Sequence, residues 1–226
     1  MGISINAANV SGTINNYGSI TDTGTSSEGT IFSPQAGAAS TIVINNFEGA
    51  TIHSDSFVAV NNTSNKMMIL RNAGTISTNS LSAPSIQFGT GNDTLILEST
   101  SVITGFVNGR TGTNTFALGG TTNGSLDVSQ IGAAAQYRNF HTFEKIESST
   151  WTLTGTTTAV TSWQILDGTL SVSSDANLGA LAGTLTLDGG TLQNTGAFSS
   201  ARTVTIEDEG GTFQTNAGRC VVLAHG

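Results

Sequence analysis

Cysteine is almost missing: the single Cys220 excludes an internal disulfide and any cysteine-based zinc site. The chain must therefore hold together without covalent staples. Charge is scarce as well, with 7 Lys and Arg against 15 Asp and Glu among 226 residues, so threonine alone outnumbers all charged residues together. The resulting net charge of −8 and pI near 4.6 argue against nucleic acid as a partner. No window approaches the roughly 18 consecutive apolar residues of a spanning helix. Met1 to Asn6 lack both a basic and an apolar stretch, so no signal peptide is read there. Proline is held to 2 residues while glycine reaches 28. A chain rich in Thr, Gly, Asn and Ser favours strands and turns over helices. At 37% hydrophobic it still carries enough Val, Ile, Leu and Phe for a core. A folded, mostly β chain is expected.

The sequence repeats. Gly168-Thr169-Leu170, Gly190-Thr191-Leu192 and Gly211-Thr212-Phe213 recur with a period of roughly two dozen positions. A looser echo with a somewhat longer period runs through Ile14-Asn15-Asn16-Tyr17, Ile44-Asn45-Asn46-Phe47 and Leu70-Arg71-Asn72-Ala73. Between the echoes, Thr41-Ile42-Val43-Ile44, Leu170-Ser171-Val172 and Thr203-Val204-Thr205-Ile206 alternate with period two, which puts apolar residues on one face. Short strands returning once per such period predict an all-β chain, a right-handed parallel β-helix of the pectin-lyase-like solenoid type. A β-propeller is the rival, but its blades need about 40 to 50 residues.

Such a coil explains several conspicuous residues. Asn15, Asn16, Asn45 and Asn46 read as turn formers or stacked amide ladders. Phe32, Phe47, Phe57, Phe88, Phe106 and Phe116 read, for the most part, as inward stacks. Trp151 and Trp163 fit either a coil filling or an exposed platform for sugar. A short helix is conceivable near residues 131–138, around Ala133 to Ala135. His141 to Glu147 reads as a turn leading into a strand at Trp151.

Catalytic signatures are missing. There is no Gly-x-Ser-x-Gly elbow, no His-Glu-x-x-His and no phosphate-binding Gly-x-x-x-x-Gly-Lys-Ser/Thr, and His53, His141 and His225 show no triad-like context. Asp93 and Asp127 would matter for a β-helical carbohydrate-active enzyme only if they converged with a third acid. The cluster Glu207-Asp208-Glu209 reads as a solvated turn. Gly89-Thr90-Gly91-Asn92-Asp93-Thr94-Leu95 fits the core of a calcium-binding nonapeptide repeat, whose copies must follow in tandem. The next candidate comes a full coil later and has Asn114 for Asp, so a structural turn is favoured over a calcium-stabilised module. No catalytic, cofactor-binding or metal-ligating residue and no cofactor is assigned.

The segments Asp167 to Ala180, Gly183 to Gln193, Phe198 to Ile206 and Gly210 to Gly218 resemble the passenger-associated strand repeat of bacterial autotransporters. Residues 89–155, with Asp127-Val128-Ser129-Gln130, Tyr137-Arg138-Asn139-Phe140 and Trp151-Thr152-Leu153, resemble segments preceding that repeat in large autotransporter adhesins. The organisation expected is looser coils over 1–88, middle coils over 89–155, the repeat over 156–218 and a non-repeat tail over 219–226 that holds Cys220. The resemblance implies a non-enzymatic type V secreted passenger displayed outside a Gram-negative cell and threaded through its own C-terminal β-barrel, which is not in this sequence. The repeat is then expected to aid export and folding, the chain to be an internal piece of a longer protein, and its partners to be a second copy, a host surface glycan or a matrix protein.

Overall fold

The computed structural model describes residues 3–5, 10–25, 27–33 and 40–216, and the backbone of 221–223. The tail residues Cys220 and His225 lie outside the described residues. Every strand pairing given is parallel, and the chain divides into two compact units: Met1–Thr115 with Ala134–Phe140, and Phe116–Ala133 with His141–Gly226. Parallel pairing of strands one period apart makes this a parallel β-helix and excludes the antiparallel blades of a propeller.

In the first unit the coils contribute strands to three sheets. One sheet stacks Gly12–Asn16, Thr41–Asn46, Met67–Asn72 and Thr94–Leu97. The next stacks Ser19–Asp22, Thr51–Ser54, Thr75–Thr78 and Val102–Thr104. The third stacks Ile3–Ser4, Ile31–Ser33, Val60–Asn62, Ile86–Gln87, Val107–Asn108 and Tyr137–Arg138. Alternation along each strand drives every second side chain inward, and register stacks these into apolar columns. Ile14, Ile44, Leu70 and Leu95 form one, and the last three are fully buried. The spacing of the N-terminal echo is therefore the length of a coil, since its members stand opposite one another in the ladder.

A buried amide ladder marks the corner between the first two sheets. Asn16 Nδ2 donates to Asn46 Oδ1 at 2.8 Å, and Asn46 Nδ2 donates to Asn72 Oδ1 at 2.7 Å. Each also serves the turn: Asn16 donates to the Thr51 carbonyl at 2.9 Å and Asn72 to that of Gly74 at 3.0 Å. Buried polar groups are tolerated here because they satisfy one another and the backbone that a corner strips of ladder partners. The corner is too tight for a side chain at residue 74, where a Cβ would stand 2.3 Å from the Ala50 carbonyl oxygen.

In the second unit, Thr142–Lys145, Trp163–Ile165, Leu185–Leu187 and Val204–Ile206 stack in one sheet. Gly124–Asp127, Thr150–Thr154, Thr169–Val172, Thr191–Asn194 and Thr212–Thr215 stack in another. The Gly-Thr-Leu repeat falls in register, Leu170 opposite Leu192 and Leu192 opposite Phe213. Trp151 and Trp163 are 3% and 1% exposed, which settles both as core. Trp151 directs its indole N–H to the Gly119 carbonyl at 3.0 Å, and Trp163 joins Phe143 and Phe116 in a tilted aromatic column.

Three expectations are corrected. Of the six phenylalanines read mostly as inward stacks, Phe88 and Phe116 are fully buried, but Phe32, Phe47, Phe57 and Phe106 are only half-buried. Phe32 occupies the outward position of its strand, Phe47 stacks on Tyr17, and Phe106 lies under the Arg138 guanidinium at 3.9 Å. No α-helix forms at 131–138. A 3-10 turn at Val128–Gln130, capped by Asp127, is followed by bends, and Tyr137–Arg138 is claimed by pairing with Val107–Asn108. Three alanines beside Gly132 cannot outweigh a ladder and a buried Tyr137. The stretch after His141 is a strand, because Phe143 and Lys145 alternate inward. Lys145 is fully buried, and its ammonium donates to the carbonyls of Ile146 at 2.7 Å, Asp167 at 3.2 Å and Glu147. Burial pushes it down to about 8 against the raising influence of Asp167 and Glu147.

Among the described residues no helix is long and apolar enough to cross a membrane.

Candidate functional site

The outward positions of the coils are where chemistry could meet solvent, and each cluster there is built by register rather than by sequence proximity. On the second sheet of the first unit, Thr21, His53 and Ser77 stand opposite one another. His53 Nδ1 lies 2.8 Å from Ser77 Oγ, and its Nε2 lies 2.9 Å from Asp55 Oδ1. Asn79 Nδ2 donates to the same Asp55 oxygen at 2.8 Å. The sequence shows no triad-like context for His53, yet the fold assembles a hydroxyl, an imidazole and a carboxylate in one chain of hydrogen bonds. The signal lay in the coil period, since His53 and Ser77 are one coil apart. A relay of this kind can move a proton, but acyl transfer also needs donors aimed at the developing oxyanion. Here Thr51–Ser54 and Thr75–Thr78 are paired along their length with flanking strands, which engages the nearby amides. The cluster is best described as a polar clasp across two coils.

Asp93 occupies the turn of the calcium-like motif, and its carboxylate points inward. The residue is fully buried; Oδ1 accepts from the Met68 amide at 2.7 Å and Oδ2 from the Gly89 amide at 3.1 Å. Its next-coil counterpart Asn114 plays the same part, accepting from the Asp93 amide at 2.9 Å and donating to the Gly109 carbonyl at 2.8 Å. A carboxylate spent on amides is a turn anchor and not a calcium ligand. Burial pushes Asp93 up to about 6, against the lowering hydrogen bonds from Met68, Gly89 and Asn62. The folded state therefore holds this proton more tightly than the unfolded chain, whose carboxyl titrates near 4. Stability from this group is full below pH ~4 and is lost as pH rises through about 6. Thermal melts at pH 4.5 and 7 should show a difference on the order of 1–3 kcal/mol that disappears in Asp93→Asn, measured as the change in pH dependence between the two proteins.

Asp127, the other acid considered for an enzyme, is an exposed cap. It accepts from the Ser129 amide at 2.9 Å, and the Ser129 hydroxyl and amide hold its carboxyl below the ordinary range. Asp93 and Asp127 thus have separate structural duties. In the second unit Asp188, Glu207, Asp208 and Glu209 line an open groove of ≈ 530 Å³ with Gln164 and Thr186. Glu207 to Glu209 form a solvated turn, closed by the Gly210 amide on the Glu207 carbonyl at 2.9 Å. Among the described residues no three His, Cys, Asp or Glu side chains are placed to hold a metal ion.

The remaining outward surface is poor in charge. Asn45 Nδ2 donates to Asn15 Oδ1 at 2.8 Å in a second, exposed amide ladder. Just beyond it, Tyr17 stacks on Phe47 with ring centroids 4.2 Å apart and planes within 4°. Threonine and serine fill much of the rest, as at Thr13, Ser19, Thr152 and Thr186.

No protein-family model matches the chain. No solved structure matches it. A 99-residue segment, 44% of the chain, is 37% identical to the adhesin BmaC autotransporter of Brucella suis biovar 1 (strain 1330), of whose length the match spans 3%. This chain is thus a homologue, over that segment, of an autotransporter adhesin, and its all-strand parallel architecture fits a passenger domain.

Proposed function

We propose that the chain is a non-enzymatic segment of an autotransporter passenger whose role is surface display and adhesion. The observation that carries this reading is the similarity to an autotransporter adhesin, set on coils whose outward face, apart from the acidic groove of Asp188 and Glu207 to Glu209, is poor in charge and rich in hydroxyls and amides. A face of that chemistry binds by many weak hydrogen bonds, and its natural partners are a host surface glycan, a matrix protein or a second copy of the chain. In this reading the Gly-Thr-Leu coils of 156–218 assist passenger export and folding, the segment is displayed outside the outer membrane, and a C-terminal β-barrel belongs to the longer protein.

The test uses the chain coated on beads and offered to cultured epithelial cells and to surfaces of fibronectin, laminin and collagen. Attachment above that of albumin-coated beads is expected on at least one surface. Attachment equal to albumin on all of them overturns the adhesive role. Sedimentation velocity between low and high micromolar concentration reports the self-association variant, which predicts a sedimentation coefficient that rises with concentration.

A further inference from the structure

The tripeptide Leu-Asp-Gly occurs at Leu166-Asp167-Gly168 and again, in the next coil, at Leu187-Asp188-Gly189. In both, the glycine nitrogen can attack the carboxyl group before it, because glycine has no Cβ to shield its amide. The fold treats the two sites differently. At the second, both reacting groups are engaged by the following coil: the Gly189 amide donates to the Gly210 carbonyl at 2.7 Å, and Asp188 Oδ1 accepts from the Glu209 amide at 3.0 Å. At the first, the same two groups face each other, with the Gly168 amide donating to Asp167 Oδ1 at 2.6 Å. Asp167 is exposed, so water reaches it. Its main-chain carbonyl, conjugated with the Gly168 nitrogen, accepts from the Lys145 ammonium at 3.2 Å. Lys145 is fully buried and also bonded to the carbonyls of Ile146 and Glu147, so its charge is held in place. Gly168 is fixed as well: its φ is +62°, and its carbonyl accepts from the Thr191 amide at 2.8 Å.

We propose that Asp167 is a site of spontaneous isoaspartate formation, selected by the fold from two identical tripeptides and activated by Lys145. The Gly168 nitrogen attacks Cγ of Asp167 in its carboxylic acid form. The N–Cγ bond forms, a Cγ–O bond breaks, and the oxygen leaves as water with the amide proton and the carboxyl proton. A five-membered succinimide remains. Solvent water then adds to the main-chain carbonyl carbon of Asp167 and breaks its bond to the nitrogen, which leaves the chain running through Cγ; addition at Cγ instead restores aspartate. No oxidant or reductant takes part, and the product has the mass of the starting chain. As the amide loses its proton, conjugation places much of the negative charge on the Asp167 carbonyl oxygen, where the Lys145 ammonium sits. Isoaspartate lengthens the main chain by one methylene at a corner that has no room: a Cβ at Gly168 would stand 2.3 Å from the Glu147 carbonyl oxygen and 2.5 Å from that of Ser149. The product should therefore loosen the pairing of Thr169–Val172 with Thr150–Thr154. This inference stands apart from the adhesive reading.

The experiment incubates the full chain for weeks at body temperature and neutral pH, folded or in urea, and maps isoaspartate by peptide mass spectrometry with electron-transfer fragmentation and by isoaspartyl methyltransferase labelling. The folded chain is expected to carry about tenfold more isoaspartate at 167 than at 188, and the ratio should fall to within about twofold in urea, where the shared Leu-Asp-Gly sequence decides. A succinimide, lighter by one water, should precede it at 167. Equal isoaspartate at the two sites in the folded chain, a lead for 188, or none at 167 overturns the proposal. An excess at 167 that persists in urea also overturns it, since sequence and not fold would then be the cause. This comparison of two sites in the wild-type chain needs no variant to fold. Lys145→Met should in addition slow formation at 167 severalfold relative to 188 in the same molecule. Formation at 167 that is unchanged or faster in Lys145→Met overturns the part given to Lys145.

Discussion

Arg202→Ala should unfold the loop between residues 175 and 183. Arg202 is 4% exposed, and its guanidinium is the hub of that loop. Nε meets Asp175 Oδ1 at 2.9 Å, and the terminal nitrogens donate to the carbonyls of Gly179 at 2.6 Å, Ala180 at 2.8 Å, Gly183 at 3.0 Å and Asp175 at 3.2 Å. The loop is also held by the 3-10 turn Asp175–Leu178, by Asn177 Nδ2 donating to the Gly155 carbonyl at 2.8 Å and by the Thr161 hydroxyl donating to the Leu178 carbonyl at 2.6 Å, but Arg202 joins both of its ends, from Asp175 to Gly183. Alanine strands several carbonyls and a carboxylate that is 22% exposed, which costs about 3–5 kcal/mol in comparable buried pairs. Lysine recovers little, since a single ammonium cannot reach acceptors spread around a planar fork. Hydrogen exchange followed by mass spectrometry is the measurement. Amides of 175–183 should exchange about a hundredfold or more faster in Arg202→Ala, while those of Thr41–Asn46 keep their wild-type rates. Unchanged exchange across 175–183 would show that the loop orders itself.

The second large effect concerns Trp163 and runs in two directions. Its side chain is among the largest fully buried ones and packs against Phe143 with centroids 5.5 Å apart, in register with Leu185. Trp163→Ala should cost about 3–5 kcal/mol, the usual toll of an aromatic cavity. The indole N–H, however, is buried without a hydrogen-bond partner. An orphaned donor of that kind costs about 1–3 kcal/mol, so Trp163→Phe trades lost volume for a removed penalty and should fall within about 1 kcal/mol of the wild-type chain. Urea unfolding followed by far-UV circular dichroism distinguishes the cases. A Trp163→Phe variant as damaged as Trp163→Ala would mean that the indole volume alone decides. Trp151, whose N–H is satisfied by Gly119, should not tolerate phenylalanine equally well.

These two residues also show what can and cannot be read from such a sequence. Repeats whose members keep the same residue types announce their own register, which is why Leu170, Leu192 and Phe213, or Asn16, Asn46 and Asn72, could be aligned by eye and are found stacked. Arg202 could not be placed so, because its partners sit in a loop of another coil and its role is unique to one layer. His53 and Ser77 escaped for a related reason: they stand opposite one another one coil apart, but they are unlike residue types, so no echo pairs them. The phenylalanines misled because aromatic character says buried, whereas Phe32 takes the outward position of its strand and Phe47, Phe57 and Phe106 lie in the turns outside the strands. Tyr17 and Phe47 carry the same lesson, since the echo that aligned them as repeat equivalents gave no hint that both rings would sit at a surface.

In the second unit, Ile206 and Phe213 lie in the last strands of their sheets and in register with the buried Leu187 and Leu192, yet are 54% and 37% exposed. Each strand is paired only with strands one coil away, so a layer is ordered by its immediate neighbours. Among the described residues, the surface holding Ile206 and Phe213 is accordingly a step on which a further layer can crystallise: strand-edge amides and carbonyls give the direction, and two half-covered apolar side chains give the driving force. Growth of this kind draws on the contacts between one coil and the next and not on the total length of the stack.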